Sequence, residues 1–470
     1  MKITLVQCPA FGIDRPPLAL GYLAAFLREQ GQAVRVFDFN ADLYAHAEEA
    51  HKRFWEFSYV FQWMNQDYFS QQKVLSESHY AQWAEMLLRD DPDILGFSVQ
   101  SSSLICSLKL AREIRKRATA PAIVFGGPLH LSYSIEHADH LLQMKDDVGR
   151  QLVDVVVLGE GEETLLDIAR RLEAKESLRG CPGTVIRAED GKILRNGPRS
   201  LIENLDILPF PDFHDFPSVY KYDRRWPILG SRGCVNRCVF CDDALMWRRY
   251  RYRSAANIFQ EMKLRKEQGA EFLEFNDLLI NGNSSELLKL CNLLIGGKLG
   301  LTWGGSACVG RNLDREMLKK LKQAGCCYLN FGIESASPKI LKDMNKSFTI
   351  SEVQRVITEA HRAGMDVCTN WIVGFPTERE EDFQQTLQFI TRFFKLLRKN
   401  LMVNSFILKD ASLLARHKEK FGVVAGDGWN WVSQDGANTV EVRKRRYDEF
   451  LATIERLGDK PKHKTFQGQQ

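Results

Sequence analysis

Three of the chain's eleven cysteines fall within eight residues, in the stretch Gly233-Cys234-Val235-Asn236-Arg237-Cys238-Val239-Phe240-Cys241. The spacing is CxxxCxxC. Thiolates at such spacing are the usual ligands of iron–sulfur clusters. Two other readings exist, a zinc site and three core cysteines. Structural zinc takes four ligands, commonly on CxxC knuckles, and no fourth Cys or His lies near these three in the sequence. Three cysteines for a four-iron cluster leave one iron with an open position. A molecule bound there could accept an electron from the cluster. The other eight, Cys8, Cys106, Cys181, Cys291, Cys308, Cys326, Cys327 and Cys368, are scattered. They are expected as core residues, with no second cluster, and the odd total of eleven argues against a disulfide framework.

The elements that must position the motif form a βα series. Strands are expected at 226–231, 271–275, 301–306, 328–334, 366–374 and 401–408. Helices fit 254–268, 285–295, 314–324, 351–363 and 380–398. Six parallel strands with helices between them predict a partial (β/α)6 barrel over 226–410, whose ligands sit at the C-terminal strand ends. The cysteine motif follows the first of these strands. The basic run at 247–253, WRRYRYR, reads as a solvated stretch leading into a helix and not as a nucleic-acid patch.

An earlier βα series predicts a second domain over 1–200. Apolar strands at 2–7, 33–39, 93–99, 122–127 and 154–159 alternate with helices at 18–30, 104–117 and 164–174. This is the pattern of a doubly wound α/β sheet, covered on both faces. Residues 41–90 interrupt it with a helical insertion dense in aromatics, among them Tyr44, Phe54, Trp55, Trp63, Tyr68, Phe69 and Trp83. These rings either pack a small core or line a cavity. Three prolines in 208–217 mark a linker over 201–225, and 411–470 is left as a C-terminal appendage.

The barrel, over about 225–410, resembles the radical S-adenosylmethionine (SAM) family. The resemblance rests on the cysteine spacing, the aromatic Phe240 before the last cysteine, and three further stretches. Asn276-Asp277 follows the second strand, where the family often meets SAM's amino group, although the usual GGE form is missing. Gly332-Ile333-Glu334-Ser335, with Leu341 and Met344-Asn345-Lys346, matches the stretch near the SAM ribose. Gly374-Phe375-Pro376-Thr377-Glu378 is similar to the turn near adenine. The resemblance implies a [4Fe-4S] cluster on Cys234, Cys238 and Cys241, SAM on the open iron, and reductive cleavage to a 5′-deoxyadenosyl radical.

The N-terminal domain resembles the Rossmann-like cobalamin-binding domain that precedes the barrel in one large radical SAM class. The matching positions are Pro17 and Leu18, Ser98, Gly126 and Gly127, and Gly159, Glu160 and Glu162, all near C-terminal strand ends. No GxGxxG follows the first strand, which disfavours a dinucleotide. The first loop, CPAFGIDRPPLALG, lacks the DxHxxG histidine that ligates cobalt in many cobalamin proteins. His130 follows Gly127 and reads as a loop residue. The domain is therefore expected either to bind cobalamin without that histidine or to be a relic.

The pair of domains implies methyl transfer from methylcobalamin to an unactivated carbon. A radical rearrangement, cyclisation or bond-forming reaction without methyl transfer is the alternative, and a sensor that never cleaves SAM is a third. The substrate is expected to be a small molecule or a peptide, and the reductant a protein such as a flavodoxin or ferredoxin. A net charge of +4 argues neither for nor against nucleic acid, and no nucleic-acid partner is expected. With no run of about 18 apolar residues and no signal-like start, the expected location is cytoplasmic, with no membrane.

Overall fold

The structure, a computed structural model, describes residues 1–65, 74–127, 135–216, 225–243, 247–310, 312–397, 400–426 and 428–458. Tyr68, Phe69, His130, part of the expected linker and the end of the chain lie outside them. The chain divides into two compact units, Met1–Glu203 with Ile207–Arg225, and Asn204–Asp206 with Trp226–Gln470.

The first unit is built on a seven-stranded sheet of order β2-β1-β3-β4-β5-β6-β7. Its strands are β1 (Lys2–Gln7), β2 (Ala33–Asp38), β3 (Ile94–Ser98), β4 (Ala122–Gly126), β5 (Val155–Val157), β6 (Thr184–Arg187) and β7 (Ile193–Arg195). β1 to β5 run parallel, and β6 and β7 add antiparallel. The register sets Gln7 beside Ser98 and Ser98 beside Gly126, so the C-terminal ends of the central strands are level. The strand order reverses between β1 and β3. Open sheets of this order bind ligands at that switch point, outside the carboxyl ends.

Helix α1 (Leu18–Glu29) buries Leu18, Leu20, Tyr22 and Leu27 and is terminated past its end by Gly31 at φ +78°. Residues 208–216, expected as a linker, pack on this helix. The Asp212 N–H donates to the Gly21 carbonyl at 3.0 Å, and Arg28 pairs with Asp212 at 2.5 Å. A Cβ on Gly21 would come within 2.6 Å of the Phe213 ring. Prolines here stiffen a packed strap and do not mark a free connector.

The aromatic insertion fills the core of the same unit. Trp55 and Trp63 lie 5.2 Å apart, and Phe39 stacks on Trp83 at 4.7 Å. The buried indoles are satisfied: Trp55 Nε1 donates to Asn40 Oδ1 and Trp63 Nε1 to the Phe54 carbonyl, each at 2.7 Å. Rings so enclosed are core, as large apolar side chains with one satisfied polar atom should be.

The second unit carries a six-stranded sheet of order β8-β11-β12-β13-β14-β15. The strands are β8 (Arg225–Ile228), β11 (Phe272–Phe275), β12 (Thr302–Ala307), β13 (Cys326–Glu334), β14 (Asp366–Val373) and β15 (Asn400–Ser405). From β11 to β15 every pairing is parallel. Two short strands after β8, β9 (Ser231–Arg232) and β10 (Arg251–Tyr252), pair antiparallel. Helices α2 (Ala255–Glu267), α3 (Ser284–Gly297), α4 (Arg315–Gln323), α5 (Ile350–Arg362) and α6 (Glu380–Leu397) join successive strands. Ser254, Asn283, Asp314 and Thr349 cap the first four of these helices by accepting from a backbone N–H with their side chains. This is an open (β/α)6 partial barrel. A last helix, α7 (Val440–Arg456), packs beside β14, β15 and α6. No helix among the described residues is long and apolar enough to cross a membrane.

Candidate metal and cofactor site

The cysteine loop leaves the sheet through β9 and returns through β10, with Arg232 opposite Arg251. Gly233 opens the loop at φ +91°, where a Cβ would stand 2.5 Å from the Arg249 carbonyl oxygen. Only glycine fits both demands. The basic run at 247–253 is thus the return strand of the loop. Arg248 and Arg249 are exposed, but Arg251 and Arg253 are buried. Arg253 donates to the Leu229 carbonyl at 2.7 Å and to Asn257 Oδ1 at 2.6 Å, and it pairs with buried Glu261. The expectation of a solvated stretch is corrected on this point. Sequence alone does not reveal the carboxylate eight residues on that neutralises Arg253.

Two clamps fix the loop against the barrel. The carboxylate of Asp277, just past β11, accepts from the Gly230 N–H at 2.8 Å and the Ser231 hydroxyl at 2.5 Å. Burial pushes this carboxyl up to about 6, against those hydrogen bonds. The second clamp is the Met344-Asn345-Lys346 stretch. The Val239 N–H donates to the Met344 carbonyl at 3.1 Å, Asn345 Nδ2 to the Arg237 carbonyl at 2.7 Å, and Ser347 Oγ to Asn236 Oδ1 at 3.1 Å. From the end of the barrel, Lys409 reaches Asp242 at 3.0 Å.

The three motif cysteines are half-buried and form no disulfide. Burial raises all three thiols, Cys241 to about 12. Thiols so placed are poor nucleophiles, and a metal is what would ionise them. Among the described residues, the three sulfurs do not form a group within 4.8 Å of one another. A single zinc ion with bonds of about 2.3 Å would draw them closer than that. A four-iron cluster takes one iron per thiolate and holds the sulfurs apart, so the donor set fits the cluster. Cys241, Asp242 and Asp243 do lie together within 4.8 Å, but Asp242 is already paired with Lys409.

The other expected SAM positions divide by exposure. Phe240 is half-exposed beside the cysteines, and the Lys346 ammonium lies 5.3 Å from its ring centre. Lys346 donates to the Gly332 carbonyl at 2.9 Å and to Glu334 Oε1 at 3.2 Å. Glu334 sits at a β-bulge with φ +69°, a left-handed backbone rare for a side chain of this size. Asn276 is exposed. By contrast Asp277, Ser335 and Phe375 are 5%, 0% and 0% exposed, so their side chains hold the rim and do not offer a surface. Ser335 Oγ meets Thr386 Oγ1 at 3.3 Å, and the Phe375 ring packs edge-on against Phe406 at 5.3 Å. Gly374 and Pro376 are buried with Phe375 in the turn.

That turn is braced by the C-terminal segment, which is therefore part of the site and no mere appendage. A Cβ on Gly374, at φ +80°, would stand 2.3 Å from the Arg443 side chain. The Gly374 N–H donates to Glu378 Oε2 at 2.7 Å, and Arg446 meets the same oxygen at 3.0 Å. Arg443 stacks on Trp431 at 3.9 Å. Sequence reading missed both arginines. An i,i+3 basic pair on a charged helix looks solvent-facing until the neighbouring chain is known.

A second omission is Cys308, which follows β12. Expected as core, it is half-exposed, and Asn236 Nδ2 of the cysteine loop donates to its sulfur at 3.1 Å. Its place at a C-terminal strand end was the available signal. Cys327 is also only half-buried, while the other six scattered cysteines are buried.

In the first unit, Pro17 and Leu18 open α1, Ser98 and Gly126 end β3 and β4, and Gly127 follows at φ +111° with a Cβ position 2.7 Å from the Val99 carbonyl oxygen. Gly159, after β5, has φ +86° and open space where a Cβ would be, among the described residues. Glu160 accepts from the Ile202 N–H at 3.1 Å, and Glu162 is buried at the start of the next helix. These glycines end β4 and β5, on one side of the switch point between β1 and β3, and of the three only Gly159 has open space where a Cβ would stand, among the described residues.

Residues 228–390 match the model of the Radical SAM superfamily. The chain is 28% identical over 401 residues to an uncharacterised methyltransferase of Pyrococcus horikoshii, covering 83% of this chain and 77% of that one. It is 26% identical over 403 residues to the cytidylyl-2-hydroxyethylphosphonate methyltransferase of Streptomyces wedmorensis, covering 77% and 69%. Its fold is similar to that of the radical SAM methyltransferase TsrM of Kitasatospora setae, solved with cobalamin and a [4Fe-4S] cluster. The TM-score is 0.68 at 15% identity, over 99% of this chain and 91% of that one. With the cysteine loop and the open (β/α)6 sheet, residues 228–390 form a domain of the Radical SAM superfamily, preceded in the chain by a doubly wound domain.

Proposed function

We propose that this protein is a cobalamin-dependent radical SAM enzyme that methylates an unactivated carbon of a small molecule or peptide. The observation that carries it is the pairing of a three-thiol loop at the end of β8 with a doubly wound sheet whose strand ends are glycine-lined. When bound, the cluster reduces SAM to give a hydrogen-abstracting 5′-deoxyadenosyl radical, and cobalamin supplies the methyl group that SAM's electrophilic methyl cannot deliver to a carbon radical.

The chain's own residues position and insulate. Cys234, Cys238 and Cys241 hold the cluster. Lys346 lowers the Cys238 thiol against the burial that raises it, and so offsets part of the charge gathered there. Glu334 and Asn276 offer polar groups at the strand ends, and the Gly374–Glu378 turn forms the far rim. Gly126 and Gly159 let a cofactor approach the backbone of the first unit, while Gly127 lets that backbone lie against Val99. A protein reductant such as a flavodoxin or ferredoxin, and a cytoplasmic location, belong to the same reading.

Metal content tests it without knowledge of the substrate. Anaerobically purified protein should hold about four irons and about one cobalt per chain. After reduction with SAM it should release 5′-deoxyadenosine, and S-adenosylhomocysteine once the substrate is supplied. Iron without cobalt, and 5′-deoxyadenosine never accompanied by S-adenosylhomocysteine, would instead favour rearrangement or cyclisation.

A further inference from the structure

We propose, on the cluster assignment and the need for a protein reductant stated above, that the exposed face of the cysteine loop is where an acidic reductant docks, held by Arg237, Arg248 and Arg249. The loop between β9 and β10 supplies the three thiols, and it also supplies the exposed side chains that flank them. Val235, 50% exposed, stands between the first two cysteines, and Arg237, Arg248 and Arg249 are exposed. The three arginines are tied together through their backbone. Arg237 Nη2 donates to the Arg248 carbonyl at 3.2 Å. The Arg249 carbonyl oxygen lies against Gly233, 2.5 Å from its Cβ position.

The two acids that follow the last cysteine are already engaged. Asp242 is buried and meets Lys409 at 3.0 Å, and Asp243 Oδ2 accepts from Cys241 Sγ at 3.5 Å. What the loop shows to solvent is therefore cationic, with one apolar side chain in it. Such a face suits a protein that carries carboxylates, because complementary charge steers the encounter. Electron-transfer partners meet over small, transient interfaces. The face also has a short path inward. Arg237 Nη1 donates to the Cys234 carbonyl at 3.2 Å and to the Asn236 carbonyl at 3.4 Å. The Asn236 N–H in turn points at Cys234 Sγ at 3.4 Å. A carboxylate seated on Arg237 is thus a few bonds from a thiol that holds the cluster, and electron transfer weakens steeply with distance.

The step is the passage of one electron. With a reduced flavodoxin, the flavin hydroquinone anion becomes the neutral semiquinone, and the oxidised cluster gains one negative charge. No bond forms or breaks, and no proton moves. The encounter between the two proteins is then the part that responds to salt, since exposed charges are screened.

Stopped-flow reduction of the anaerobically reconstituted full chain by reduced flavodoxin, an acidic protein, tests this. Photoreduced deazaflavin, small and uncharged, is the control reductant. The wild-type rate with flavodoxin should fall steeply as salt is raised. The double variant Arg248→Glu, Arg249→Glu should be reduced by flavodoxin about tenfold more slowly at low salt, with a flat salt response, while it keeps its iron and its rate with deazaflavin. Arg248→Gln with Arg249→Gln serves as a milder variant should charge reversal lower the iron content, and a smaller slowing is expected there. Equal flavodoxin rates in variant and wild type at low salt would overturn the proposal, as would a wild type that deazaflavin reduces and flavodoxin does not. Binding of transfer RNA that depends on these arginines, with no change in the flavodoxin rate, would give the face to a nucleic acid instead. If no four-iron cluster forms, or neither reductant reduces it, the underlying assignment fails, and the two failures are thereby told apart.

Discussion

Glu378, closing the turn after β14, and Arg446, on the last helix, meet at 3.0 Å with side chains only 1% and 3% exposed. The contact joins the barrel rim to a segment more than sixty residues further along the chain. It also shares an oxygen with the Gly374 N–H, so the helix sets the turn's backbone through the carboxylate. Breaking a buried pair by removing one partner costs about 3–5 kcal/mol. Arg446→Met should therefore lower unfolding stability by about that amount, read by chemical denaturation.

The same pair has a pH signature. Burial pushes the Glu378 carboxyl up to about 7, with Arg446 opposing the rise. A carboxyl raised in the folded state contributes stability that is full below its unfolded value and is lost as pH rises through the folded one. Arg446→Met removes the opposing charge and lifts the folded value further. The destabilisation by R446M should be larger at pH 8 than at pH 5, measured as the difference from wild type at each pH. A cost that does not change with pH would mean that the carboxylate finds another partner.

Gly233 predicts a local failure. Its φ of +91° and the 2.5 Å approach of its Cβ position to the Arg249 carbonyl oxygen leave no room for alanine. Gly233→Ala should disturb the β9–β10 return and reduce iron per chain strongly. The cost of about 1–2 kcal/mol for the left-handed backbone, plus the clash, falls on a short loop, so the circular dichroism of the barrel should persist. Unchanged iron content would show that the loop can shift without losing its ligands.

Much of this site was legible because it is local. The cysteine spacing needs only eight residues, and the strand–helix alternation that carries it repeats in plain apolar runs. The motif at 344–346 was also visible, although sequence placed it near the ribose and the structure adds its grip on the cysteine loop. What could not be read was long-range polar pairing. Arg253 looks solvated until Glu261 is seen to face it, and Cys308 looks like core until Asn236 is beside it. Pro211 and its neighbours read as a linker because proline signals a break in regular structure but says nothing about packing. The Phe213 contact with Gly21 decides that, and it joins positions nearly two hundred residues apart.

Asp277 offers a test of the barrel clamp. Its carboxyl, pushed up to about 6 by burial, accepts hydrogen bonds from Gly230 and Ser231. Because the folded value lies above the ordinary 3.8, this group's contribution to stability is full below pH 3.8 and fades toward pH 6. Asp277→Asn keeps the shape, removes the titration, and leaves one fewer acceptor for two donors. The variant should lose about 1–3 kcal/mol and show a flatter stability profile between those pH values. A wild-type-like slope would assign the titration to another group.

The first unit can be tested separately from the barrel at Gly126. A Cβ there would meet only Val157, at 3.6 Å, an ordinary contact among the described residues. The position ends β4, in register with Ser98, and a β-branched residue suits a strand. Gly126→Val should therefore fold with a change within about 1 kcal/mol. A cofactor lying across the end of β4 would meet the same side chain. Cobalt per chain should fall while iron per chain stays near the wild-type value. If both metals are retained in full, the cofactor does not pass over β4, and its contacts must come from the loops after β1 and β5 instead.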